Sequence, residues 1–418
     1  MTPRYDVLII GGGLAGLAAA RHCAANGITP LVLEGASDVG GRLTTDNVDG
    51  FLLDRGFQVL LDSYPEARAV LDFDALQLGK FAPGAVVRRA SGFGRVADPW
   101  RAPLAGVGSL LSGVFTVGDA LRMLKLRSDA MLSLEGEPVE EGDVSAARAL
   151  NARGFSDRAI EGFFRPFFGS VFLDPQLTAP QHWFEFLFGM FATGSATLPA
   201  NGMQAIPRQL AAALPSGSVR TNAQVRAVRE GQVELSDGET LEARTIIVAT
   251  DARHASVLIP GMRAPAWNAC ATLYYAAKES PVEGPFLVLD AEGRRGPVNH
   301  VCVPSDISAS YAPPGQALIS ATVVGTAPTE DGMLDRDART QLSRWFGDAV
   351  KGWHLLRIAH VPYSLPRASP REDARDAAVR LGAGLYACGD YLETPSINGA
   401  LRSGRRAAEA VVLDLKRS

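Results

Sequence analysis

Apolar and polar positions along this chain follow two periods, and the switches between them mark its elements. Tyr5 to Ile10 is apolar apart from Asp6 and predicts a buried strand; Leu14 to Asn26, rich in small residues and closed by Gly27, predicts a helix. Leu31 to Leu33 predicts a second short strand ending at Glu34. Short strands around Leu43 and from Phe51 to Leu53 flank the turn Asp46 to Gly50, which predicts a hairpin. Further on, Val225 to Arg229, Gln232 to Leu235, Thr240 to Glu242 and Thr245 to Ala249 alternate with Glu230-Gly231 and Asp237-Gly238, the pattern of a small antiparallel sheet. The last of these strands, apolar from Ile246 onward, is expected to rejoin a buried parallel sheet. Leu385 to Cys388 predicts a final strand, and Ser396 to Leu413 a helix with Ile397, Leu401, Gly404, Ala408 and Val411 on one face.

This order gives an α/β fold: a Rossmann-type nucleotide-binding domain, with a parallel sheet flanked by helices plus a small antiparallel sheet, and an interleaved α+β substrate domain. The 418 residues exceed what one core holds, so the chain divides into residues 1–75, 205–265 and 380–418 for the first domain and 76–204 and 266–379 for the second. Leu104 to Gly118 is uncharged for 15 residues but bounded by Arg101 and Asp119, and is expected to form a buried or interfacial helix rather than a membrane span.

Composition narrows the function. A net charge of −4 without a polybasic run gives no electrostatic case for nucleic acid. Cys23, Cys270, Cys302 and Cys388 lack C-x-x-C spacing, which suits reduced thiols in a cytoplasmic protein and offers no metal site. Arg4 and the apolar run to Ala20 imitate a signal peptide, but Asp6 interrupts the run and the glycine spacing accounts for it better.

That spacing is Gly11-Gly12-Gly13-Leu14-Ala15-Gly16, set between the first strand and the first helix, with Glu34 at the end of the next strand. Gly11 permits the tight turn, Gly13 lets backbone approach a pyrophosphate, Gly16 lets the helix pack on the sheet, and a carboxylate at Glu34 accepts from ribose hydroxyls. In the loop that follows, Gly40 and Gly41 permit close approach and Arg42 can meet a phosphate with its planar fork; taken alone, the loop also reads as a surface turn with a solvated arginine. A second glycine fingerprint for a nicotinamide domain is absent. His22, His182, His254, His300, His354 and His360 are dispersed, neither H-E-x-x-H nor G-x-S-x-G occurs, and no catalytic residue stands out.

Taken together, Gly11 to Gly16, Glu34 with Gly40-Gly41-Arg42, Gly50-Phe51-Leu52-Leu53-Asp54-Arg55-Gly56, Leu198 to Met203, Ile247 to Asp251, and Gly389-Asp390 with Asn398-Gly399-Ala400 resemble the amine oxidase, protoporphyrinogen oxidase and carotenoid desaturase superfamily of flavoproteins. The resemblance implies FAD. Gly11, Gly13, Leu14, Ala15, Gly16 and Thr250 would belong to its site, with Glu34 on the adenosine ribose, Gly40, Gly41 and Arg42 at the pyrophosphate, and Val225 backbone beside the adenine. Gly389 and Asp390 would hold the ribityl or pyrophosphate end, while Gly56, Phe57 and Gln58 would lie against the isoalloxazine ring. Ile397 and Asn398, at the start of the last helix, would face its pyrimidine edge, where a helix N-terminus favours the negative charge of the reduced ring.

Phe163, Phe164, Phe167, Phe168, Phe172, Trp183, Phe184, Phe186, Phe188 and Phe191 crowd one stretch, either as helix faces packing a core or in part as the lining of an apolar channel. Amine oxidases of this superfamily commonly carry a lysine on a strand leading into a Tyr-Tyr pair; here Trp267 to Tyr275 resembles that strand, with Cys270 where the lysine is expected. Ser396 stands where they often carry an aromatic. These departures favour an FAD-dependent oxidase or desaturase acting on a fairly apolar small molecule and passing electrons to O2 or a quinone-like acceptor. A flavin-dependent amine oxidase, a redox-neutral isomerase and a non-catalytic lipid-binding flavoprotein stay open as alternatives, as does peripheral contact with a membrane.

Overall fold

A computed structural model describes residues 4–97, 113–133, 144–293, 295–325, 330–368, 379–382 and 384–417. Its largest sheet has eight strands. Arg4–Ile10 lies between Pro30–Leu33 and Thr240–Val248, parallel to both, and Leu385–Ala387 joins the far side of Thr240–Val248, again parallel. Gln232–Leu235 and Val225–Arg229 extend the same side antiparallel.

The two strands expected at 240–242 and 245–249 are one. Its first half follows an exposed-buried alternation and pairs with the antiparallel hairpin. Thr245 to Val248 are buried on both faces, because this half runs into the middle of the parallel sheet. The break expected near Arg244 is only the last outward-facing residue of the alternation.

Helix Leu14–Ala25 packs one face of this sheet and the C-terminal helix Ile397–Arg417 packs beside it. The two backbones are so close that a Cβ on Gly404 would lie 2.0 Å from the carbonyl oxygen of Ala15. Leu401, Gly404, Ala408 and Val411 are buried on the helix's inner face.

A second, seven-stranded sheet runs in the order His354–Pro366, Trp267–Ala277, Ala317–Val324, His300–Cys302, Leu287–Asp290, Gly84–Arg89, Gly92–Ala97. Helix Asp331–Phe346 covers one face through Leu334, Ala338, Leu342 and Trp345. Across the other lie Arg165–Val171, entered through a π-helical turn at Ile160–Phe164, and Gln181–Thr193. Phe164, Phe168, Phe172 and Phe184 are fully buried between these helices, with Phe168 and Phe184 edge-to-face at 4.8 Å.

The N-terminal hairpin pairs Thr45–Val48 with Phe51–Asp54 and reverses at Asp49-Gly50, both left-handed. The strand does not start at Leu43, because the chain is still turning there: the Leu43 amide bonds back to the Gly40 carbonyl. Of the helix expected over Leu104 to Gly118, residues up to 112 lie outside the described residues; Val117 and Gly118 instead open helix Val117–Ser133, which exposes Val117, Leu121, Leu124 and Met131. Among the described residues no helix is long and apolar enough to cross a membrane, and no three His, Cys, Asp or Glu side chains group to hold a metal. All four cysteines are free and buried.

Candidate active site

Four parallel strands end on one cavity of about 880 Å³: Gly11 follows the first, Glu34 the second, Ala249 and Thr250 the third, Cys388 and Gly389 the fourth. The carboxyl edge of such a sheet is where α/β folds bind ligands, since the strand ends diverge there and helix N-termini face the gap. The lining includes Gly11, Gly13, Leu14, Ala15, Glu34, Gly40, Gly41, Arg42, Gly56, Phe57, Gln58, Val225, Thr250, Gly389, Asp390 and Ile397. Of the residues singled out in the sequence, Gly16 and Asn398 are off it.

Gly16 shapes the turn from behind: a Cβ there would meet the Gly11 carbonyl oxygen at 2.0 Å. Asn398 faces elsewhere, its Oδ1 accepting from the Glu66 amide at 3.0 Å at the start of helix Pro65–Val70. One step along a helix rotates a side chain by about 100°, so Ile397 reaches the cavity and Asn398 does not. Ser396 caps this helix, its Oγ accepting from the Gly399 amide at 3.0 Å.

The acidic and basic groups are held by this chain itself. Glu34 accepts the Gly12 amide at 2.7 Å and the Ala36 amide at 2.8 Å, which locks its carboxylate across the glycine loop. Arg42 donates to Asp390 at 2.6 Å and to the Ser364 carbonyl at 3.2 Å, with its guanidinium over the Trp267 ring. Asp251 accepts from Arg253 at 3.0 Å and bonds His254 at 3.0 Å, while its other oxygen caps helix Ala252–Leu258.

Several further residues complete the lining. Cys270 and Ser364 bring Sγ and Oγ to 3.1 Å, and a Cβ on Gly56 would lie 3.4 Å from that sulfur. Burial raises the Cys270 thiol above its usual range, with the Ser364 bond pulling the other way, so it stays protonated at neutral pH. His300 is buried and edge-on to Phe57, ring centroids 4.9 Å apart. Among the described residues both its nitrogens lack partners, and burial pushes its titration down to about 3. Trp183, Leu187, Phe191 and Leu287 add apolar wall. A second apolar cavity of about 210 Å³ shares Phe57, Val59, Val171, Phe191 and Leu287 with the first, and Phe163, Phe167 and Phe188 line it. The aromatic stretch therefore serves both as core and as cavity wall.

The residues fit FAD. A Cβ on Gly13 would meet nothing within 4 Å, and one on Gly41 only the Gly13 Cα at 3.7 Å, so backbone at both stays open to the cavity. Gln58, a lining residue, anchors its amide nitrogen on the Arg42 and Arg55 carbonyls, and among the described residues its buried Oε1 has no partner.

Residues 14–412 match the family of flavin containing amine oxidoreductases. The chain belongs to that family. Its relatives include the 15-cis-phytoene desaturase of Capsicum annuum, 22% identical over 99% of this chain and 78% of that one. They also include the putrescine oxidase of Kocuria rosea, 43% identical over 16% of this chain and 14% of the other. Among solved structures, a putrescine oxidase bound to putrescine superposes with a TM-score of 0.74 at 16% identity, covering 99% of this chain and all of the other. Fold and family agree: this is an FAD-dependent oxidoreductase with the α/β architecture of the family.

Proposed function

We propose that this oxidoreductase removes a hydride from a C–H bond of an apolar substrate, in the manner of a desaturase or oxidase, and passes the electrons to O2 or a quinone-like acceptor. The observation that carries this reading is the set of carboxylates on the cavity. There are three among the described residues, Glu34, Asp251 and Asp390, and each is already committed to a partner from this chain. Asp251 and Asp390 are paired with Arg253 and Arg42 and Glu34 is bonded to two backbone amides, so no carboxylate on the lining is left without a partner for a cationic amine, and Cys270 lies where the resemblance leads one to expect a lysine. Apolar side chains such as Val59, Leu61, Val171, Leu187 and Phe191 instead offer a water-poor surface.

FAD bound there supplies the two-electron acceptor. Gly13 and Gly41 leave backbone open for its phosphates, and the first turn of Ile397–Arg417 brings a positive helix end to the cavity. Phe57 and its apolar neighbours orient the substrate by shape and keep water from the reacting carbon. Anaerobic mixing of the holoprotein with a polyene, a porphyrinogen and an amine tests the reading. Bleaching of the flavin band by the polyene or the porphyrinogen, and recovery on adding air or a benzoquinone, is the expected result; bleaching by the amine alone overturns it.

A further inference from the structure

The wall of the main cavity contains a polar side chain that nothing among the described residues satisfies. His300 is 2% exposed, lies on the short strand His300–Cys302 and lines the cavity beside Phe57, yet among the described residues neither Nδ1 nor Nε2 has a hydrogen-bond partner. Buried polar groups are nearly always paired, because leaving one bare forfeits its hydration with no return. Trp183 Nε1, on the same lining, is also buried and unpaired.

We propose that His300 recognises one neutral hydroxyl or carbonyl group of a substrate whose apolar remainder fills the cavity. The inference rests on the apolar-substrate reading and adds a polar function to it. Burial holds the imidazole neutral, so it presents one N–H donor and one acceptor nitrogen. A hydroxyl satisfies either and a carbonyl the donor, whereas a charged group meets a ring that carries no charge. Phe57 packs against His300, and Leu187, Phe191 and Leu287 line the same cavity, which matches an apolar body around a single polar point.

Flavin difference spectra of the holoprotein, titrated with n-octane, 1-octanol and 2-octanone, test this in wild type and in His300→Leu and His300→Gln. Octanol and octanone are expected to bind about tenfold more weakly to His300→Leu, octane no more weakly, and His300→Gln to recover part of the loss. His300→Leu should also retain FAD and melt no lower than wild type, since it replaces an unpaired buried polar group by an apolar one of similar size. Equal binding of all three ligands to wild type and His300→Leu overturns the role of His300 alone, as does loss of FAD or of thermal stability in that variant, which would make the residue a cofactor or structural contact. No spectral response to any of the three overturns the apolar-substrate reading, and this inference with it.

Discussion

The guanidinium of Arg42 lies 2.6 Å from the carboxylate of Asp390, 348 positions further along the chain. Arg42 belongs to the loop after the second strand and Asp390 to the turn after the last strand, so one ion pair ties the two ends of the chain together at the cavity. The resemblance assigned both residues to the cofactor; the geometry shows that each also fixes the other, leaving Arg42 with donors to spare for a phosphate.

Asp390→Asn is therefore expected to weaken FAD binding and the fold together. With Asp390 buried and the Arg42 side chain 32% exposed, the lost pair costs about 2 kcal/mol, less than a fully buried pair would. A double-mutant cycle with Arg42→Gln, followed by denaturant unfolding and FAD titration, should give a coupling energy of at least about 1 kcal/mol. Additive losses would show that the two residues act independently.

Asp54 gives the expected pH dependence. Its carboxylate is buried and accepts from Thr45 Oγ1 at 2.5 Å, the Met203 amide at 3.0 Å and the Tyr311 hydroxyl at 2.9 Å. Burial outweighs these bonds and raises its titration to about 6. A carboxyl raised on folding contributes most to stability below its ordinary value of 3.8, and that contribution is lost as pH rises through about 6. Relative to Asp54→Asn, which stays neutral, the wild type should lose roughly 2 to 3 kcal/mol between about pH 4 and about pH 7 in urea unfolding. Parallel stability profiles for the two proteins would contradict this.

The sequence made the nucleotide half legible because its signals are local. Gly11 to Gly16 and Glu34 need only a strand, a turn and a helix to acquire meaning, and the C-terminal helix announces its buried face by period alone. The departures from expectation arise where tertiary context decides. Arg244 looks like a strand boundary until Leu385–Ala387 is seen flanking the strand's second half. Asn398 shares a motif with Ile397, but helical phase turns it toward Glu66. His300 had no signal at all: a three-residue strand carries no period, and its place on the wall follows from pairing with Leu289 and Thr322, distant partners in the sheet.

Gly13 and Gly16 are expected to fail in different ways. A Cβ at Gly13 enters open space, and its backbone, at φ −78°, suits any residue; Gly13→Ala should fold normally and lose FAD affinity because the methyl occupies cavity space. At Gly16 the methyl collides with the Gly11 carbonyl and must push helix and strand apart, costing about 1 to 3 kcal/mol as well as FAD. Thermal melts of both apoproteins, beside FAD titrations, separate the two effects. Equal melting losses would show that Gly13 also serves packing.

Cys270 lies where the resemblance to amine oxidases led to the expectation of a lysine, and its surroundings define what a thiol can do there. The sulfur is buried, bonded to Ser364 Oγ and beside Gly56, and burial keeps it protonated at neutral pH. A protonated thiol is neither a nucleophile nor a base, so its contribution is shape and one weak hydrogen bond. Cys270→Ala should cost about 1 kcal/mol of stability and leave the rate of substrate-driven flavin reduction within about threefold of wild type. Iodoacetamide should alkylate the holoprotein at this site far more slowly than the urea-unfolded chain, read by peptide mass. A collapse of the reduction rate in Cys270→Ala with FAD still bound would instead place the thiol in the chemistry, and the apolar wall would no longer suffice to explain the site.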